Sequence, residues 1–270
     1  MSSLAELVDR RELLWNLTLR EMRGRYKRSM LGWTWSMLNP LATMGIYTFV
    51  FAVVLRSDPP PGDPSGLKVY ALFLVCGLLP WNFFAITVGV GMSSVVSNGS
   101  LVKKVAFPRE HLVVSTVLAG LLTFGIELGV LSVVLLIAGN MVLPWLPLVI
   151  VASLLLSLFT TGLALVLAAA NVYFRDLTYL WTIVSQLWFF GTPVVYPASL
   201  LEGRNIPGWL LRAYNDLPMA VAARLFRALL YDLKFPRLLD FGLLGGYGVA
   251  MLAIGWLVFS KLSGRFAEEL

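Results

Sequence analysis

The sequence predicts an all-α integral membrane protein with six transmembrane helices, on three observations. Hydrophobic residues make up 58% of the chain and charged residues 13%, about half the roughly 25% of charge typical of soluble domains. Mean hydropathy is +0.80. So few charges cannot cover a water-facing surface, and lipid must solvate much of the chain. Apolar runs recur at lengths near the ~20 residues that cross a bilayer core, and together they leave little of the 270 residues for a soluble domain.

Residues 1–30 are charged and read as an amphipathic helix on the membrane surface, with Arg10, Arg11, Arg20, Arg23, Arg25, Lys27 and Arg28 among Leu13, Leu14, Trp15, Leu17 and Met22. The apolar positions form no single clean stripe, and a plain orientation anchor is the alternative. This stretch lacks the short apolar core and cleavage site of a signal peptide, so the N-terminus is expected to stay where it is made. The first span covers 31–55, with a kink expected at Asn39-Pro40. The polar, proline-rich RSDPPPGDPSGLK (56–68) reads as a loop. A second span covers 69–92 and contains Pro80, a basic connector follows, and the third span covers 112–137. After a turn at Gly139–Pro144 comes the fourth span (145–170), then the polar turn NVYFRD and the fifth span (177–195). Residues 196–236 are too charged to cross and too apolar for a free loop. Pro207 and Pro218 can each begin a short helix, because proline is tolerated in a first turn. Two short re-entrant or interfacial helices are expected there, before the sixth span at 238–259 and a polar tail.

The net charge of +6 does not point to nucleic acid, because the basic residues flank apolar runs as the positive-inside rule requires. With the N-terminus in the cytoplasm, that side also holds Lys103, Lys104, Arg109, Arg175, Lys261 and Arg265. Both termini are therefore expected in the cytoplasm. The exception is the segment between spans five and six, whose Arg204, Arg212, Arg224, Arg227, Lys234 and Arg237 fall on the opposite side. Cys76 is the only cysteine and lies within an apolar run, which excludes an intrachain disulfide and disfavours a metal cluster.

Within the spans, Gly125/Gly129 and Gly242/Gly246 are GxxxG pairs, which allow close helix approach. Glu127 sits near the middle of span three, where an ionised carboxylate is costly. It reads either as a proton or substrate site or as a hydrogen-bonded packing residue. Aromatic residues crowd spans one and five. Trp33 and Trp35 fit interfacial anchors. Tyr47, Phe51, Trp181, Trp188, Phe189 and Phe190 are candidates for a conduit wall, because flat rings stack on sugar C–H faces while tolerating sliding. Helix packing explains any single ring equally well. His111 is the lone histidine, beside Arg109 and Glu110, and no nucleophilic triad is apparent. No GxxxxGK[ST] phosphate loop is present. If ATP drives this chain, another polypeptide hydrolyses it.

Four segments carry a resemblance, in order and spacing: ELLWNLTLREMRGRYKRSMLGWTWSMLNP, LVKKVAFPREHL, NVYFRDL and GTPVVYP. Together they resemble the polysaccharide-export branch of type-2 ABC transporter permeases, the Wzm-like exporters of O-antigen, teichoic acid and capsule. The likeness covers residue 10 to the C-terminus.

The resemblance implies a homodimer in the bacterial cytoplasmic (inner) membrane, bound to two copies of a separate ABC ATPase that holds ATP and Mg. It implies a lipid-linked polysaccharide as cargo; from the residues themselves no catalytic or metal site is expected in this chain. It makes 98–110 a coupling helix seated in the ATPase, with Lys103, Lys104, Phe107, Arg109 and Glu110 as contacts, and makes 196–236 an outer gate. Under this resemblance Arg20, Arg23, Arg25, Lys27 and Arg28 could grip the substrate's pyrophosphate, as clustered guanidinium groups do. Anchoring to anionic headgroups explains them equally. The resemblance assigns Glu127 no role. A proton-coupled lipid or sugar transporter using Glu127, an ABC exporter of a small molecule, and a membrane sugar transferase remain alternatives.

Overall fold

The computed structural model describes residues 11–26, 32–54, 61–105, 107–196 and 207–270, and all its regular elements there are helical. Lys27, Arg28 and Arg204 lie outside the described residues, as do the side chains of Arg25, Trp33 and Phe51. In chain order the helices are α1 (Arg11–Tyr26), α2 (Trp35–Thr48, continued by a π-helical turn Phe49–Val54), α3 (Tyr70–Ser97), α4 (Gly99–Lys104) and α5 (Glu110–Ile137). Then follow α6 (Leu146–Tyr173), α7 (Leu177–Phe190), α8 (Gly208–Asn215), α9 (Pro218–Arg227), α10 (Leu238–Leu262) and α11 (Phe266–Glu269).

Among the described residues four helical segments are long and apolar enough to cross a membrane: Tyr70–Ser97, Glu110–Ile137, Leu143–Tyr173 and Leu238–Glu269. They fall where the second, third, fourth and sixth spans were expected, running up to five residues beyond the first three of these and ten beyond the last. The expected first and fifth spans are helical but shorter. At 1.5 Å per residue α7 reaches about 21 Å, less than the ~30 Å hydrocarbon core. It was expected to run to Val195, but the Gly191 N–H caps Leu187 O and the chain turns inward through Thr192 and Pro193.

The reason for that turn is Arg227, at the end of α9. Its guanidinium is buried and donates to the carbonyls of Pro193 (2.6 Å), Val194 and Phe73 (3.3 Å). It also lies 4.0 Å from the Phe73 ring centroid, a cation–π contact. A Cβ on Gly77 would come within 2.9 Å of this group, so glycine makes its room. The fork thus pins α9 and the end of α7 to α3. Beside it Arg224 grips Asp240 at 2.6 and 3.2 Å and donates to Asn215 O, closing α8 and α9 onto the start of α10. The short helices after Pro207 and at Pro218 form where the prolines placed them. Of the arginines unexplained by the positive-inside rule, these two tie chain to chain.

The most extensive helix contact is between α6 and α10. It does not use the anticipated GxxxG pairs: Gly125, Gly129, Gly242 and Gly246 have nothing within 4 Å of an added Cβ. The crossing falls instead on Gly162 and Gly255, where a Cβ on Gly255 would lie 2.2 Å from Gly162 O, with Gly248 two turns earlier against Leu155 O at 3.0 Å. The helix crossing, and not the i,i+4 spacing alone, selects which glycines meet.

Two expectations follow for the detergent-solubilised protein. Gly255→Ala should lower its unfolding temperature, at a cost of about 1–3 kcal/mol for forced overpacking, whereas Gly246→Ala should leave it unchanged or raised. Arg227→Lys replaces a planar fork with a point charge and strands a buried carbonyl, costing about 1–3 kcal/mol. A thermal melt equal to wild type would remove Arg227 from the account of how α7 ends.

Candidate functional site

Two regions gather the residues singled out by sequence. The first is the end of the bundle that carries α1, α4 and the C-terminus. Arg20 of α1 donates to Asn98 Oδ1 at 2.8 Å, and Asn98 donates back to Ser94 O, which ties α1 to the start of α4. Leu17, Thr18 and Met22 bury one face of α1, which packs on α5, so a stripe exists that composition alone obscured. Arg20 and Arg23 are exposed.

The expected 98–110 helix divides in two. It is helical only over Gly99–Lys104; Val105 is extended, Phe107 and Pro108 are irregular, and α5 begins at Glu110. Pro108 explains the break, since proline disfavours helical geometry in the residue before it. Lys103, Lys104 and Val105 are exposed, while Phe107 is half-buried against the core. Glu110, expected as a partner contact, is instead turned into the subunit at 3% exposure, next to buried His111, whose Nδ1 lies 3.1 Å from Pro108 O.

A brace from the C-terminus holds this segment. Phe266 is fully buried, edge-on to Phe259 at 5.3 Å and Tyr173 at 6.3 Å, and Arg109 lies 6.0 Å over its ring. At the other end of α4, an added Cβ on Gly99 would lie 3.8 Å from Leu270. The Tyr173 hydroxyl donates to Leu262 O. The C-terminal turn therefore touches the exposed α4 segment at both ends. Sequence reasoning missed this, having read the tail only as polar.

The second region is a groove of about 550 Å³ between α2 and α7, floored by α3. Tyr47, Trp81 and Phe189 supply aromatic wall; Thr43, Asn82, Thr182, Ser185 and Gln186 supply hydroxyls and amides. No residue of α7 is buried. Thr178, Thr182 and Gln186 recur every fourth residue along it, a polar row within an apolar helix that could have been read from sequence and was not.

The expected conduit aromatics split between two environments. Tyr47 and Phe189 line the groove and Phe190 is exposed. Trp188 instead packs among Phe84, Phe159 and Trp81 at 5.2–6.5 Å. Trp181 packs on Phe84 and donates its indole N–H to Ala85 O at 3.2 Å. These two rings fasten α7 to α3 and α6 and leave the helix's polar row on its outer side. Beyond the groove, the Tyr196 and Tyr214 hydroxyls share a 2.7 Å hydrogen bond, and partial burial together with that bond raises the Tyr214 pKa above the usual tyrosine value. Among the described residues no three His, Cys, Asp or Glu side chains converge as a metal site would require.

Comparison with known proteins agrees with this architecture. A protein called O-antigen export system permease protein RfbA from Myxococcus xanthus is 33% identical over 265 residues, covering 98% of each chain. Two from Klebsiella pneumoniae carrying the same name are 31% and 29% identical, covering 96% of this chain and 95% of theirs. The model of the ABC-2 type transporter family matches residues 12–231, and with relatives of this identity along nearly its whole length, the chain belongs to that family.

Proposed function

We propose that this chain is the membrane permease of an ATP-driven exporter and carries a lipid-linked polysaccharide out across the bacterial inner membrane. The observation that carries the reading is the groove: hydroxyl and amide side chains alternating with flat aromatic rings, on helix faces that nothing in the subunit covers. In a bilayer such groups are unfavourable against hydrocarbon. They are suited to sugars, whose hydroxyls need hydrogen-bond partners and whose C–H faces stack on aromatic rings. The relatives' names point to the same cargo.

A second copy of the chain, with α2 and α7 turned toward their counterparts, removes those faces from lipid and closes two grooves into one path. In this arrangement α2 with its π-helical turn and α7 with the 191–196 turn complete six spans. The basic residues of α1 and α4, together with Arg175, Lys261 and Arg265, put the terminal end in the cytoplasm by the positive-inside rule. There each permease meets one copy of a separate ABC ATPase that binds ATP and Mg. Lys103, Lys104 and Val105 are presented to it, and Phe107 and Arg109 connect that surface to the bundle. Arg20 and Arg23 are exposed on α1, and with Arg25, Lys27 and Arg28, which follow in sequence, they bind the cargo's pyrophosphate or anionic lipid. At the outer end α8 and α9 form the gate, with Arg227 as its fixed hinge point. Motion of the ATPases moves α4, and through the Phe266 brace the displacement reaches α6 and α10 as a rigid body.

Two measurements test this reading. In a strain relying on this permease, Thr182→Leu combined with Gln186→Leu should cut surface polysaccharide at least tenfold while the variant still co-purifies with its ATPase; full-length glycan at normal abundance would refute the groove as the path. In proteoliposomes of the whole complex, Phe107→Ala or Phe266→Ala should leave ATP hydrolysis running while glycan exported per ATP falls severalfold. An unchanged export-to-hydrolysis ratio would refute the proposed transmission route.

A further inference from the structure

The groove does not end at Asn82. The other side of that residue lines a second, much smaller cavity of about 40 Å³, together with Asn39, Thr87, Thr123 and Glu127. Asn82 is shared by both cavities, so the niche and the groove adjoin at this residue. Helix α2 makes the same connection independently. Asn39, Thr43 and Tyr47 are spaced at i, i+4 and i+8, on one face; Asn39 lines the niche and the other two line the groove. A continuous polar seam thus runs from Tyr47 to Glu127 through a region otherwise built of leucine, valine and phenylalanine.

Backbone approach creates the niche. A Cβ on Gly120 would lie 2.4 Å from Thr87 Oγ1, so the glycine lets α3 close on α5. One and two turns further along the same face of α5 come Thr123 and Glu127. Glu127 lies about 25 Å from the start of α5 and about 15 Å from its end, well inside the helix. An ionised carboxylate within a span costs several kcal/mol unless it is compensated, and Glu127 shares its cavity with Asn39, Asn82, Thr87 and Thr123.

We infer that this niche is a hydroxyl-binding subsite for the passing glycan. One edge of a pyranose ring reaches past Asn82 toward Glu127 while the ring lies in the groove against Tyr47, Trp81 and Phe189. The relative dimensions set the assignment: the niche has about 40 Å³ against about 550 Å³ for the groove, so the ring stays in the groove and a ring substituent enters the niche. Carboxylate and carboxamide oxygens, and the Thr123 hydroxyl oxygen, whose own proton goes to Ala119 O at 3.1 Å, accept hydrogen bonds from the sugar hydroxyl, and the Asn82 and Asn39 amides donate to its lone pairs. A sugar unit bearing a hydroxyl at that edge is held at this step, and one lacking it is not. The site therefore grades cargo by hydroxyl pattern rather than by charge.

This inference rests on the export reading above, and its test separates the two. The full complex, with its ATPase, is reconstituted in proteoliposomes, and ATP hydrolysis is followed against the concentration of the lipid-linked glycan purified from the host strain. Glu127→Leu and the isosteric Thr123→Val should each raise the half-saturating glycan concentration about tenfold, the size expected for losing a hydrogen bond to a buried charged or polar partner. Glu127→Gln, which retains an acceptor, should stay within about threefold of wild type. If Glu127→Leu and Thr123→Val both leave half-saturation unchanged while Thr182→Leu/Gln186→Leu still blocks export, the subsite is wrong and the export reading stands. If Glu127→Gln is as defective as Glu127→Leu, the residue works by its proton and the hydroxyl-binding assignment is overturned. Thr123→Val keeps volume and shape, so it decides the matter even if Glu127→Leu fails to assemble.

Discussion

The guanidinium of Arg227 holds together stretches of chain that are distant in sequence, and the position of the groove depends on it. By donating to Pro193, Val194 and Phe73 carbonyls it stops α7 at Phe190 and sets the end of that helix against α3. Trp181 and Trp188 then fix the rotation of α7 by packing on Phe84. With its end and its rotation both set, α7 has no freedom to turn Thr182 and Gln186 inward. A buried cation usually signals a costly compromise. Here three carbonyls, an aromatic face and the space left by Gly77 compensate it, and the return is a precisely aimed polar row.

The opposite end uses apolar packing for the corresponding task. Phe266 sits among Phe259, Tyr173 and Arg109, so the last residues of the chain touch the segment just before α5. Helix α4 has six residues, too short to be stable alone, and it projects two lysines. It keeps its orientation because its flanks are clamped by Asn98 with Arg20 at one side and by Phe266 under Arg109 at the other. A short exposed helix held at both flanks in this way has the support that the coupling role proposed above would require.

What the sequence disclosed divides along a physical line. Apolar run length is a local property, so the long apolar helices expected as the second, third, fourth and sixth spans, and the two short helices after Pro207 and at Pro218, were legible as helices. Pairings between distant parts of the chain were not. Glycines 125, 129, 242 and 246 have the spacing of a contact motif, yet the contact is made by Gly162 and Gly255, because the crossing of α6 and α10 decides it. Arg224 and Arg227 looked like violations of the positive-inside rule until Asp240 and the 193–194 carbonyls supplied partners. Trp181 and Trp188 looked like conduit wall and prove to be fasteners. The polar row of α7 was readable at i,i+4 spacing but was outshone by the aromatic residues between its members.

An isolated subunit of this shape is incompletely solvated in any single medium. Its α2 and α7 faces carry exposed Ile46, Phe49, Leu187 and Phe190 interleaved with Thr43, Thr182 and Gln186. Hydrocarbon suits the first set and water the second. Local hydrogen bonds reduce the mismatch: Thr182 donates to Thr178 O and Ser185 to Thr182 O, so each hydroxyl's proton is satisfied within the helix while its lone pairs stay available. Hydroxyls whose protons are spent and whose lone pairs are open accept hydrogen bonds from mobile hydroxyl-bearing partners, and the Asn82 and Gln186 amides on the same wall supply donors. Water and sugars both qualify, and neither is held so strongly by such a surface that it cannot move on. If the groove is the export path proposed above, a long polymer needs many weak contacts along it, and hydroxyl lone pairs beside flat aromatic faces would provide them.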